Sequence, residues 1–152
     1  MKKQFYIALF ALILATVFLY QRGEAIYVSA VVLPYNILND INVYRVQQGL
    51  NVLQPSTLLC GLAYVRSQEI KTDWSHKQFQ QEIDKIPVTG RFYENLSRGY
   101  EENEVVAGWK LSLMGHNEAM LVPSMKYGCV VASGKFYVFE GYIPANADDK
   151  IY

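Results

Sequence analysis

The order in which helical and strand patterns follow one another is the strongest constraint on this chain. Helical spacing comes first, strand alternation comes between and after, and no strand–helix–strand repeat occurs, which predicts an α+β sandwich. Pro34 suits a first helical turn, and Ile37, Ile41 and Tyr44 keep helical spacing until Gly49, so a first helix is expected at about 35–48. Pro55-Ser56-Thr57 starts a second helix that reaches about Lys71, with Leu58, Leu59, Leu62, Ala63, Val65 and Ile70 on one broad face. The polar segment 77–86 reads as a loop with one helical turn at most, closed by Pro87 and Gly90. A strand at 92–96 puts Phe92, Glu94 and Leu96 on one face and Tyr93 and Asn95 on the other.

Glu101, Glu102 and Glu104 then crowd a helix N-terminus, where the dipole favours negative charge. Val105, Val106, Trp109 and Leu113 form the expected buried stripe of this third helix, which ends near Gly115. Residues 116–121 add one or two turns before Pro123. Residues 127–132 and 135–143 pair as an antiparallel hairpin through Ser133-Gly134, and 144–152 is expected to fray as a polar tail.

With 152 residues, 51% of them apolar, the chain is long enough for one domain with its own core. Before that domain, Lys2-Lys3 precedes an uncharged stretch at 4–21 whose apolar body is 5–20. A cleaved signal has an apolar region of about 7–15 residues and a spanning helix needs about 20, so segment 1–30 is a signal peptide or a membrane anchor. The two lysines keep its start cytoplasmic, which places the rest of the chain outside, either secreted or tethered. Without the first 25 residues the net charge is about −2, which offers no electrostatic footprint for nucleic acid. Cys60 and Cys129 in an exported protein are either a disulfide between a helix and a strand or two small buried apolar side chains.

The residues with chemistry to offer are few. His76 and His116 are the only histidines, and Glu94 stands between them in sequence on an otherwise apolar strand face. Neutral imidazole and carboxylate are ligands that zinc accepts, and three protein ligands leave an open position. The plainer reading has both histidines capping helix ends, with Glu94 bonded to backbone amides. Ser75 and Ser112 lie near the histidines, yet no Gly-x-Ser-x-Gly turn exposes a nucleophile. Trp74 and Trp109 either fill the core or wall a pocket.

The motifs Leu38-Asn39-Asp40-Ile41-Asn42 with Arg45, Leu53-Gln54-Pro55-Ser56, Trp74-Ser75-His76 and Tyr93-Glu94-Asn95-Leu96 occur in that order. Trp109 with Ser112, Gly115-His116-Asn117 and Tyr127-Gly128-Cys129 follow. Across 36–142 the chain thus resembles the CAP superfamily, the SCP domain of cysteine-rich secretory proteins, antigen 5 and pathogenesis-related proteins, in its compact bacterial form. The resemblance implies an α-β-α sandwich over 35–143, an extracytoplasmic location, and a cleft where two histidines and two acidic residues meet. In some members that tetrad binds a divalent metal such as Zn2+. By position, His76, Glu94 and His116 match three of the four, while Ser112 stands where the second glutamate falls in eukaryotic members. The segment 109–116 is also one residue longer than the usual bacterial spacing. Trp74, Asn95, Trp109 and Ser112 are the expected neighbours of the cleft. The resemblance leaves three functions in view: a binding module at the cell envelope whose partner is a ligand, lipid or protein, a metal-dependent hydrolase with Glu94 as base, and a lipid or sterol binder.

Overall fold

A computed structural model of the chain describes residues 35–146 and Ile151. The expected signal or anchor at 1–30 and the apolar stretch at 26–33 lie outside them. Among the described residues, no helix is long and apolar enough to cross a membrane.

Helix α1 spans Tyr35–Gln47 and stops at Gly49, whose φ of 74° is a left-handed turn that a side chain resists. Strand β1, Gln54–Pro55, is a two-residue bridge that sequence patterning missed, because two residues are too few to show alternation. Helix α2, Thr57–Glu69, begins where Ser56 Oγ accepts from the Leu59 amide, satisfying one orphan donor of the first turn. One further turn, α3 at Phe79–Ile83, interrupts the polar loop. Strand β2 covers Gly90–Arg98, and a capping box between Glu101 and Glu104 opens a 3-10 turn leading into α4, Val105–Lys110. A short helix α5, His116–Met120, precedes β3, Tyr127–Ser133, and β4, Phe136–Pro144.

The sheet order is β1-β3-β4-β2. Strands β3 and β4 form the expected hairpin, with Val130 opposite Phe139, and β2 pairs antiparallel along the other edge of β4, with Glu94 directly opposite Glu140. β1 pairs parallel to β3 at the outer edge, a position that tolerates the missing amide of Pro55. Alternate residues feed two cores. One joins Ile37 and Ile41 of α1, Val105, Val106 and Trp109 of α4 and Met120 of α5 to Val130, Tyr137 and Phe139. The other joins Leu59 and Ala63 of α2 to Leu96, Val131, Val138 and Tyr142. Since successive strand residues point to opposite faces, the sheet is the middle layer of an α-β-α sandwich.

Cys60 on α2 and Cys129 on β3 are joined by a disulfide, with Cα atoms 5.2 Å apart. It closes a loop with a sequence separation of 69, for which chain entropy gives a stabilisation of about 4 kcal/mol.

Two expectations fail. The third helix does not run to Gly115: α4 ends at Lys110, and Leu113, expected in the buried stripe, is 99% exposed. Gly115, at φ 84°, takes a left-handed conformation that breaks the helical path before α5. Nor is the tail wholly loose. Ile151 is only 5% exposed and packs in the α2-side core, a large apolar side chain gaining more from burial than its polar neighbours lose.

Candidate functional site

Three elements bring the site together. Arg66 lies on the buried stripe of α2, four residues before Ile70, and is fully buried. Its guanidinium donates through Nε to Glu94 Oε2 at 2.6 Å, through Nη2 to Glu94 Oε1 at 3.2 Å, and through Nη1 to Glu69 at 2.5 Å. The remaining Nη2 bond, 2.8 Å to the Ser75 carbonyl, pins the loop that carries His76. Such planar, forked donation is what arginine offers and lysine does not.

Glu94, on β2, has a side chain only 1% exposed. His76 Nδ1 lies 2.7 Å from its Oε1, so the carboxylate is bonded on one side by Arg66 and on the other by His76. Burial works against ionisation, but the His76 hydrogen bond and the Arg66 pair outweigh it and hold this carboxyl below its ordinary pKa. Directly across, Glu140 is 0% exposed; as a carboxylate it finds no donor for either oxygen, and only as an acid can it bond the facing Glu94. Burial and the facing Glu94 charge push its pKa well above the ordinary carboxyl value, which favours the protonated form.

His116 opens α5. Asn95, 1% exposed, donates from Nδ2 to the His116 carbonyl at 2.9 Å, and Tyr44 of α1 donates to Asn117 at 3.0 Å. The His116 ring is half-buried, and burial together with the nearby His76 lowers its pKa and favours neutral imidazole. The two imidazole centroids are 6.5 Å apart. The structure therefore gathers His76, Glu94 and His116, but it gives Glu94 to Arg66 and His76. Among the described residues, no group of three His, Cys, Asp or Glu side chains is placed to hold a metal ion.

Beside His116 opens a cleft of about 630 Å³ lined by Trp74, Arg98, Tyr100, Trp109, Leu111 and Ser112, among others. Trp109 is core and wall at once: it is 2% exposed and donates from Nε1 to the Leu96 carbonyl at 3.0 Å. Trp74 is 37% exposed, with the Arg98 guanidinium 4.6 Å from its ring centre. Ser112 accepts from the Met114 amide at 3.1 Å, so it shapes the loop before α5. Arg66 and Glu140 were missed from sequence. The signal was there in each case: a charged residue at a core position of an apolar helix face or strand.

The described domain has the fold of the SCP, or CAP, domain. It superposes on a cysteine-rich secretory protein of Staphylococcus aureus with a TM-score of 0.62 at 14% identity, over 70% of this chain and 36% of that one. An extracellular protein of Bacillus anthracis containing an SCP domain gives a TM-score of 0.62 at 20% identity, over 71% of this chain and 39% of that one. An outer surface protein of Borrelia burgdorferi gives 0.61 at 20% identity, with 70% of this chain matched to 89% of its own. This chain thus corresponds to little more than a third of the first two. No protein-family model matches the sequence, and no curated protein matches it significantly.

Proposed function

We propose that the chain is an extracytoplasmic, non-enzymatic binding module of the cell envelope, with the cleft beside His116 as its recognition site. The saturation of Glu94 carries this reading. A metal-dependent hydrolase needs a carboxylate free to take a proton from water beside an open position. Here both Glu94 oxygens are bonded, and Glu140 is sealed from solvent, where burial and the Glu94 charge disfavour its carboxylate. The location is supported by the disulfide, which suits an oxidising compartment, and by the extracellular and outer-surface proteins that share the fold.

At the edge of that cleft a zinc ion would take the imidazoles of His76 and His116 as its protein ligands, with Glu94 orienting His76 through Nδ1 from outside the coordination shell. With Zn–N bonds of about 2.0–2.1 Å, rings sharing one tetrahedral zinc lie roughly 5 Å apart. The observed centroids are 6.5 Å apart, so zinc binding would require the exposed His76 ring to move towards His116. A bound metal would give the cleft a positive charge for an anionic or carbonyl ligand. The apolar wall formed by Trp74, Tyr100, Trp109 and Leu111 favours a second reading, in which the ligand is a lipid or sterol.

Calorimetric zinc titration of the full chain in detergent micelles tests the metal part. One zinc is expected to bind, at least tenfold more weakly in His76→Ala and His116→Ala. A wild-type chain that takes up no zinc removes the metal from the proposal. Peptide or ester hydrolysis that Glu94→Gln abolishes would overturn the non-enzymatic reading itself.

A further inference from the structure

The loop 111–115 between α4 and α5 carries the most exposed apolar side chains of the described residues. Leu111, Leu113 and Met114 are 83%, 99% and 82% exposed, whereas every other exposed large apolar residue lies between 37% and 57%. The loop is built rather than slack. Leu111 N donates to Ala107 O, Ser112 N to Trp109 O, Met114 N to Ser112 Oγ, and Ala119 N to Gly115 O. These bonds fix the backbone and leave three apolar side chains projecting from a tip. We infer that this tip inserts into the surface of a lipid bilayer.

Three observations favour a bilayer over a protein partner. The exposed apolar tip is small, three side chains, whereas a stable protein interface buries about 800 Å² on each side. Leu111 shares its cleft with Trp74 and Tyr100, which are 37% and 45% exposed. Two cations lie over aromatic rings nearby in the chain: Arg98 over Trp74 at 4.6 Å, and Lys110, next to Leu111, over Tyr44 at 3.9 Å. Exposed apolar side chains beside tryptophan, tyrosine and cations are the combination that interfacial membrane contacts use. Thirdly, 14 residues, 21–34, separate the apolar body at 5–20 from the start of α1 at Tyr35. If that segment is retained as an anchor, a fully extended connection spans roughly 50 Å, so the domain cannot leave the neighbourhood of the membrane. Glu104 lines the cleft with Arg98 and offsets that cation, so insertion is driven by apolar contact and is nearly independent of salt.

The inference does not depend on zinc or on catalysis. Its test uses the full chain, disulfide intact, in phosphatidylcholine–phosphatidylglycerol vesicles, with an environment-sensitive fluorophore on Leu113→Cys. Val46→Cys, at an exposed position on α1, is the reference. The Leu113 probe is expected to shift to the blue and to be quenched by nitroxide on the lipid chains, unchanged in high salt, while the Val46 probe responds to aqueous iodide alone. Equal iodide quenching of both probes overturns the inference. So does protection of the Leu113 probe from iodide without quenching by the lipid nitroxide, which would mean that another protein surface covers the tip.

Discussion

Glu94 and Glu140 face each other across β2 and β4, and their environments drive them apart. Arg66 and His76 hold the first as a carboxylate, and burial beside that charge holds the second as an acid. The consequences for stability have opposite signs. The pKa of Glu94 falls on folding, so its contribution is present above its unfolded pKa and is lost as pH falls through the lowered folded value. The pKa of Glu140 rises on folding, so its contribution is complete at acid pH and is lost as pH climbs towards the raised value. Glu140→Gln keeps the shape and removes the second titration. It is expected to raise the melting temperature at pH 8 by about 3–6 °C, with the gain shrinking towards pH 4.5. Melting curves across that range check this, and a lower melting temperature at every pH would show that the acid proton bonds Glu94 better than an amide does. Removing Arg66 instead would strand a buried carboxylate, a change that costs about 3–5 kcal/mol in comparable pairs.

At the scale of the element, His116 is positioned by a broken helix. Gly115 supplies the break, and its φ of 84° lies where an alanine is strained whether or not there is room for the methyl group. Gly115→Ala is expected to cost about 1–2 kcal/mol in a chemical denaturation curve and to weaken zinc binding by moving His116. Equal zinc affinity in wild type and variant would mean that α5 holds its place without the turn. This break was the part of the fold hardest to read in advance. Val105, Val106, Trp109 and Leu113 keep helical spacing, and periodicity alone cannot show that the fourth belongs to a turn. The long elements were legible because each repeats its pattern: α1, α2 and the β3–β4 hairpin fall within two residues of the positions their patterns predict. The residues His76, Glu94 and His116 were legible through motif order. Their bonding was not, since the helical spacing that turns Arg66 inward does not say which carboxylate it will meet.

For the whole molecule, the bond between Cys60 and Cys129 joins the α2 layer to the central sheet. Reduction by a phosphine reagent is expected to lower the melting temperature by about 10 °C or more, as loss of roughly 4 kcal/mol implies for a domain of this size. Cys60→Ser with Cys129→Ser should do the same without reagent. An unchanged melting temperature in both cases would show that packing alone holds the α2 layer.

That bond also makes the strength of the fold depend on address. In a reducing cytoplasm the tie cannot persist, and the chain keeps only what its two thin cores provide. Past the membrane, oxidation locks helix to sheet. On the proposed extracytoplasmic reading, a molecule stapled in this way is at its most pliable while it is threaded across a bilayer, and at its most rigid once it is outside.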